Sequence, residues 1–232
     1  MDLFKQGLAL DQDDSELLND YASVLVRLGY LKEGLDARER VHLLEPLIPI
    51  YNRQRAQALL ANGNTAAALS ELERLSRPGA GTFLSPLFLA QAYSQQARFA
   101  EAIDLFNRAL SDPSYPTTGV YARPLAEAVV QVLRAAANKS EPPARLPDFY
   151  SELNFVYAHT SAPERMLDWP EKALKEGDFR PLSFVWWPTP SSVRKTERFK
   201  ALMRNAGFVD YWRMRGWPDL CKPIGANDFA CE

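Results

Sequence analysis

A spacing of 34 residues recurs through the first half of this chain and restricts its fold more than any other feature. Ala22, Ala56 and Ala90 keep this spacing. Three further columns keep it as well: Gly34, Ala68 and Ala102; Gly29, Gly63 and Ala97; and Leu25, Leu59 and Tyr93. Small residues recur where two helices approach closely, and bulky residues recur where the space between helices must be filled. The spacing therefore predicts stacked helical units, each in contact with its neighbours.

These columns resemble the tetratricopeptide repeat (TPR), a helix-turn-helix unit with a small residue in its first helix, Gly at the turn, two Ala in its second helix and Pro at its end. The resemblance implies three repeats over residues 15–48, 49–82 and 83–116. The second repeat departs from the pattern, with Thr65 where an aromatic residue is usual. The third fits it through Ala90, Tyr93, Phe99, Ala102, Phe106 and Ala109. The fold that follows is all-α, a right-handed TPR superhelix or α-solenoid.

Helix-end signals agree with these units. Asp14 or Ser15 is expected to cap the first helix, and Gly29 and Gly63 fall where a first helix must end in a left-handed residue. Residues 1–14 match the second helix of a truncated preceding repeat. Because half a repeat exposes its apolar face, we expect natural sequence upstream of this segment.

Residues 117–178 lose the period but keep helical patterns, so they are predicted to form divergent helical pairs. Val120, Leu125, Val129 and Leu133 have helical spacing. A proline-rich loop, "NKSEPPARLP", interrupts the pattern. A second pair follows over "DFYSELNFVYAHTSAPERMLDWPEKALKEG", in which Pro163 suits the first turn of the second helix and Gly177 its end.

Residues 179–232 form an aromatic-rich tail. All five tryptophans, Trp169, Trp186, Trp187, Trp212 and Trp217, lie after residue 168. "TERFKALMRNAGF" predicts a short amphipathic helix that stops at Gly207, and a second helix is expected from Val209 to Arg215. Tryptophan seals a core with few residues, so we expect the tail to fold back and cap the last repeat. The alternative is a ligand pocket lined by Trp186, Trp187, Tyr211 and Trp212.

The two cysteines, Cys221 and Cys231, lie ten residues apart in turn-rich sequence, which favours a disulfide over two free thiols. We expect this bridge to hold down an irregular chain end. A disulfide persists only in an oxidising compartment, so it favours a periplasmic part of a larger protein, and free thiols favour the cytoplasm. No metal site is predicted, because neither His42 nor His159 has a Cys or His at ligand spacing.

The tail sequence "ERFKALMRNAGFVDYWRMRGWPDLC", followed by "NDFAC", also resembles a C-terminal segment found after TPR arrays in multidomain proteobacterial proteins. The matching positions are Arg198, Phe199, Gly207, Tyr211, Trp212, Gly216, Trp217, Pro218, Cys221, Asp228, Phe229 and Cys231. In that family the N-terminal part is often a winged-helix DNA-binding domain or a nucleotide cyclase. The resemblance implies that this chain is the regulatory or sensing half of such a protein.

Several classes of function lack support in the sequence. The net charge is −2 and no basic block is present, which disfavours direct nucleic-acid binding. No run of eighteen apolar residues predicts a membrane span. Phosphate-loop, nucleophile-elbow and zinc-protease motifs are absent, so we expect neither catalysis nor a cofactor. Asp219 and Asp228 are interpreted as turn-capping residues, and His159 as a residue at a helix end.

What remains is a surface. In a TPR superhelix the first helix of each repeat lines the concave groove, and here the polar residues at those positions are Asn19, Ser23, Arg27, Arg53, Gln57, Gln91 and Gln95. We call this set the inner face. Amide and hydroxyl groups suit an extended peptide backbone, and the arginines suit a carboxylate, although the set also fits a merely solvated surface. The carboxylate clamp of chaperone-binding TPR domains is not reproduced, since only Asn19 fits it.

The sequence therefore predicts a non-catalytic module that binds a protein or peptide partner and forms the sensory region of a bacterial regulator. The alternative is a small-molecule sensor with a pocket between the last helices and the aromatic tail.

Overall fold

The computed structural model describes residues 1–82, 84–187 and 189–232 and is mostly helical. Phe83, where we predicted the third unit to begin, lies outside the described residues. The α-helices of the first half are α1 (Asp2–Leu10), α2 (Ser15–Arg27), α3 (Leu31–Leu44), α4 (Pro49–Ala61), α5 (Thr65–Leu75), α6 (Ser85–Gln95), α7 (Phe99–Ser111) and α8 (Arg123–Ala137). The all-α prediction is confirmed at this level.

The second half has shorter elements. Its α-helices are α9 (Asp168–Lys175), α10 (Ser191–Arg194), α11 (Glu197–Asn205) and α12 (Phe208–Arg215). Within the described part of this half, 3₁₀ helices cover Glu152–His159, Pro163–Leu167 and Arg180–Val185. Two strands, β1 (Cys221–Ile224) and β2 (Asp228–Cys231), form an antiparallel hairpin at the C-terminal end. None of the helices in the described ranges has the length and apolar character needed to cross a membrane.

The helix ends follow from local chemistry. The Asp14 carboxylate accepts a hydrogen bond from the backbone N–H of Leu17 at 2.9 Å, which caps the start of α2. Gly29 and Gly63 follow α2 and α4 with φ of +86° and +78°. Ala97 follows α6 at φ +56°, so the same column turns left-handed even where it holds a non-glycine residue.

Successive helices pack closely because the recurring small residues face one another. Ala22, Ala56 and Ala90 are fully buried. Gly34 has no room for a side chain, since a Cβ there would lie 2.7 Å from Cγ2 of Val26. The pairs α2–α3, α4–α5 and α6–α7 therefore stack with their backbones near each other.

The middle segment departs from our prediction. α8 begins only at Arg123, after the half-exposed Val120, because Pro124 sets the helix start. The helix expected before Thr160 is the 3₁₀ helix Glu152–His159. The helix predicted to begin at Pro163 starts as a 3₁₀ turn and continues as α9. Gly177 follows α9 in a left-handed conformation, as predicted.

The tail helices were predicted correctly, but the place where they dock was not. We expected the tail to cap the last repeat, and instead it covers the turn between α2 and α3. The indole N–H of Trp212 donates to the carbonyl of Leu28 at 2.9 Å, and that of Trp186 donates to the carbonyl of Arg27 at 3.0 Å. These carbonyls lie at the C-terminal end of α2 and accept no hydrogen bond within the helix, so the indole N–H groups supply the missing donors.

Further bonds hold the tail to the same turn. The backbone N–H of Asp219 donates to the carbonyl of Gly29 at 3.2 Å, and the Asp219 carboxylate accepts from the N–H of Lys32 at 3.0 Å. The hydroxyl of Tyr30 donates to the carbonyl of Gly216 at 2.7 Å. We call residues 186–232 the C-terminal cap. One continuous core joins its aromatic rings to the apolar residues of α2 and α3.

The chain end is more regular than we predicted. Cys221 and Cys231 are directly opposite in the β1–β2 register and form a disulfide, which confirms the predicted pairing. The irregular end that we expected is a hairpin instead. Its Phe229 is fully buried against Trp212 and Trp217, with ring centroids 5.6 and 5.7 Å away, so the hairpin is anchored to the cap from inside.

Candidate functional site

A cavity of about 390 Å³ lies between the first helical pairs and the C-terminal half of the chain. α2, α3 and α4 contribute to its lining, and so do the 3₁₀ helices Glu152–His159 and Arg180–Val185. Its lining residues are Asp20, Ser23, Val26, Arg27, Arg38, Arg53, Gln54, Gln57, Ala58, Ala61, Glu152, Arg180, Ser183, Phe184 and Trp187. We call it the arginine cavity.

The structure brings most of the inner face to this cavity. Ser23, Arg27, Arg53 and Gln57 line it directly. Of the other three inner-face residues, Asn19 accepts a hydrogen bond from Arg38 and Gln95 accepts one from the indole N–H of Trp187 at 2.6 Å, so both contact lining residues; Gln91 is fully buried. The amide oxygen and nitrogen of Gln91 have no hydrogen-bond partner among the described residues. The inner face is therefore covered by the C-terminal half over much of its length.

Most residues of the aromatic pocket that we considered as an alternative pack against other parts of the chain. Trp186 and Trp212 are 3% and 0% exposed and form the core of the cap. Tyr211 packs against the ring of Tyr30, with the ring centroids 6.4 Å apart. Only Trp187 lines the arginine cavity. The sequence shows an aromatic tail, but it does not show which indoles pair with distant backbone carbonyls.

Arg38 is the most deeply buried charged group of the cavity, at 4% exposure. Its guanidinium donates to Asn19, to the amide oxygen of Gln54 at 3.0 Å and to the hydroxyl of Ser23 at 2.7 Å. All three acceptors are neutral. Nε has no hydrogen-bond partner among the described residues. Burial, followed by the nearby positive charge of Arg53, lowers the pKa of Arg38 to about 10.

Arg53 has a similar environment and is 9% exposed. Its guanidinium lies over the Phe88 ring, 4.8 Å from the centroid, and donates to the amide oxygen of Gln57 at 3.3 Å. Its Nε also lacks a partner among the described residues. Burial lowers the pKa of Arg53, and the negative charge of Glu152 opposes that shift. Arg53 is thus held in place by an aromatic face and a neutral amide.

Arg27 completes the set. Burial lowers its pKa, and its Nε has no partner within the described part of the chain. None of the ion pairs formed by the described residues involves Arg27, Arg38 or Arg53. The fourth arginine differs, since Arg180 pairs with Asp178 at 2.9 Å. Buried charges are ordinarily paired, so the buried Arg38 and Arg53 and the partly buried Arg27, in one cavity without an ion pair among the described residues, require an explanation.

Two carboxylates also line the cavity. Glu152 accepts a hydrogen bond from the hydroxyl of Tyr121. Burial, followed by the negative charge of Glu152 and this hydrogen bond, raises the pKa of Tyr121, so the hydroxyl stays protonated as the donor. Asp20 lies on α2 at the cavity wall and acts on Arg27 and Arg38 only as a nearby charge. The cavity therefore contains more positive than negative groups, with acceptors as well as donors.

Sequence reasoning missed Arg38 because it lies on α3, the second helix of its predicted repeat. The inner face was predicted only from residues on the first helix of each repeat. A signal was nevertheless present. The buried stripe of α3 runs through Leu31, Gly34, Ala37 and Val41, and Arg38 is part of that stripe. A cation on an otherwise small and apolar helix face indicates a buried polar site.

The remaining titratable candidates have structural surroundings. Asp219 accepts from the N–H of Lys32 at the start of α3, and Asp228 pairs with Lys200 and Arg204, both at 2.8 Å. The ring of His159 stands edge-on to Phe99, with centroids 5.2 Å apart, and burial lowers its pKa. Among the described residues, no group of three or more His, Cys, Asp or Glu side chains converges on a metal position.

In the comparisons with known proteins, no family model and no curated protein matches this chain.

Proposed function

We propose that this chain is a non-catalytic recognition module of the TPR class and that the arginine cavity is its binding site. The TPR assignment is supported by the 34-residue columns, whose members share one environment. The small residues of the first helices are buried to the same extent, and the three turn residues Gly29, Gly63 and Ala97 all have positive φ. Equivalent backbone geometry at equivalent positions is what a repeat requires.

The single observation that carries the binding proposal is the convergence of Arg27, Arg38 and Arg53 without an ion pair among the described residues. Burying charged groups without an ion pair lowers the stability of the folded protein, so folding alone does not explain these arginines. A partner with a negative group offsets that cost when it binds. The favoured partner is a protein or peptide that presents an acidic side chain or a terminal carboxylate to the cavity.

We also propose that the chain is the sensory or partner-binding region of a bacterial regulator. The support is the resemblance of the tail to segments that follow TPR arrays in proteobacterial regulators. Its matching residues include Trp212, Cys221 and Phe229, which build the cap. The cap is hydrogen-bonded to the end of α2, and α2 lines the binding cavity. Binding in the cavity can therefore change the position of the cap.

A second candidate function, a small-molecule sensor, is favoured by one specific observation. The 3₁₀ helices Glu152–His159 and Arg180–Val185 contribute Glu152, Ser183 and Phe184 to the same cavity that the inner-face residues line. An extended peptide that follows the whole inner face would collide with these segments. A ligand small enough to be surrounded by them would not.

The test of the proposed function is binding of displayed random peptides to the disulfide-intact protein. Affinities are measured for wild type, Arg53→Gln and Arg108→Gln. Arg108 lies on α7, is exposed and pairs with Asp104, so its variant controls for a general loss of charge. Peptides that bind wild type and Arg108→Gln but lose affinity for Arg53→Gln support the proposal. Equal binding to all three proteins would contradict a recognition role for the cavity.

A further inference from the structure

We propose that the arginine cavity binds a small organic anion, with its carboxylate or phosphate at Arg38 and Arg53 and its carbon skeleton against Phe184 and Trp187. This inference rests on the proposed role of the arginine cavity as a binding site, and it names the class of ligand for the second candidate function, the small-molecule sensor.

The first step is the charge of the site. Arg38 and Arg53 are more than nine-tenths buried, both line the cavity, and both have an Nε without a hydrogen-bond partner among the described residues. Guanidinium groups present donors in a planar fork that matches carboxylate and phosphate oxygens. The two side chains are therefore the natural position for the acidic group of a ligand.

The second step is preorganisation. Neutral acceptors fix the Arg38 guanidinium through Asn19, Ser23 and Gln54, and the Phe88 ring supports that of Arg53. None of these partners neutralises the charge. An anion that enters the cavity thus meets donors that are already oriented, and it does not first have to break an ion pair.

The third step is size and shape. About 390 Å³ lies in the lower part of the range for small-molecule pockets. Phe184 and Trp187 provide apolar surface in the cavity lining, and Gln95 fixes the Trp187 ring by accepting a hydrogen bond from its indole N–H at 2.6 Å. A bare inorganic ion would leave this surface without a contact, so the cavity fits an anion with a carbon skeleton.

The fourth step is the pair of carboxylates. Asp20 and Glu152 line the same cavity, so a ligand that is acidic throughout would be repelled by these two carboxylates. A ligand that combines one acidic group with hydroxyl or amino donors satisfies both the arginines and the carboxylates. Hydroxy acids, amino acids and sugar phosphates have this chemistry.

The experiment is calorimetric titration of the disulfide-intact chain at constant ionic strength. The probes are a hydroxy acid, glutamate, glucose 6-phosphate and inorganic phosphate, with glucose as the neutral control. We expect saturable binding of at least one organic anion, weaker binding of inorganic phosphate and none of glucose. Arg53→Gln and Arg27→Gln should each weaken the binding about tenfold or more, and Arg108→Gln should leave it unchanged. Binding should also change the tryptophan fluorescence of the protein, and Trp187→Phe should abolish that change.

The variants are checked for native circular dichroism, and Arg53→Lys is included because it keeps the charge and should bind better than Arg53→Gln. If no organic anion binds, or if Arg53→Gln and Arg108→Gln bind equally well, the inference is wrong. If anions fail while peptides still bind in an Arg53-dependent way, the small-ligand inference fails and the recognition function stands. If neither class depends on Arg53, both are wrong.

Discussion

Replacing Gly29 by alanine should destabilise this protein far more than the same change at Gly63, although both glycines end a first helix with positive φ. The φ values are +86° and +78°, so an alanine at either position is strained by about 1–2 kcal/mol. The surroundings differ. A Cβ at Gly29 would lie 2.7 Å from Cζ2 of Trp186 and 2.9 Å from Cβ of Pro218, whereas a Cβ at Gly63 meets no atom within 4 Å.

The contact at Gly29 involves the C-terminal cap, so the Cβ must push away either an indole or a proline ring. Overpacking of this kind costs about 1–3 kcal/mol in addition to the strain. We therefore expect Gly29→Ala to lower the free energy of unfolding by about 2–5 kcal/mol and Gly63→Ala by about 1–2 kcal/mol.

Urea unfolding followed by tryptophan fluorescence measures both values, since Trp186, the tryptophan beside Gly29, lies in the cap. In Gly29→Ala we also expect faster exchange of the Asp219 amide, which donates to the Gly29 carbonyl. Equal destabilisation by the two substitutions would show that the cap does not rest on this turn, and the reasoning would be refuted.

Three other predictions concern the cap. Trp212→Phe removes the donor to the buried Leu28 carbonyl and should cost about 1–3 kcal/mol, measured by urea unfolding against Trp217→Phe; equal losses would contradict a special role for the indole N–H. Cys231→Ser should lower stability by somewhat under about 3 kcal/mol, and intact-mass analysis after alkylation should find no label on the native wild type before reduction. The pKa of Asp228 is lowered because Lys200 and the Phe229 backbone N–H donate hydrogen bonds to its carboxylate. Its contribution to the free energy of unfolding is therefore present above the pKa of the unfolded state and is lost as the pH falls through the pKa of the folded state. Asp228→Asn should reduce the loss of stability below about pH 4, and an unchanged dependence of stability on pH in that range would argue against this pairing.

The helical units were predictable because close packing leaves a periodic record in the sequence. The spacing of Ala22, Ala56 and Ala90 is enough to identify them as contact positions, and Gly29 and Gly63 mark helix ends by their conformational freedom. Ala97 shows why the column is a better guide than residue type alone. It adopts a φ of +56°, although an alanine does not by itself indicate a left-handed conformation.

The docking of the cap was not predictable from the same information. The indoles of Trp186 and Trp212 satisfy the carbonyls of Arg27 and Leu28, which lie 159 and 184 residues away in sequence. Every helix offers such carbonyls at its C-terminal end, and nothing in the tail shows which helix it will meet.

The candidate site was predicted in part for a related reason. The prediction that first helices line the groove selected Ser23, Arg27, Arg53 and Gln57, and these residues do line one cavity. It overlooked Arg38, because α3 is a second helix. Trp187 was selected for a different pocket. It reaches the arginine cavity because Trp186, its neighbour, is bonded to α2 and so fixes where the next side chain lies.

The central claim is that the C-terminal cap folds back onto the first helical pair and thereby places Trp187 in the lining of the arginine cavity. Zero-length carbodiimide cross-linking tests it most directly, because Nζ of Lys32 lies 4.0 Å from a carboxylate oxygen of Asp219. Mass spectrometry of the digested native protein should find the Lys32–Asp219 cross-link, and the link should disappear when the protein is unfolded in urea before the reaction. A cap that links instead to Lys139, just beyond α8, would contradict the account.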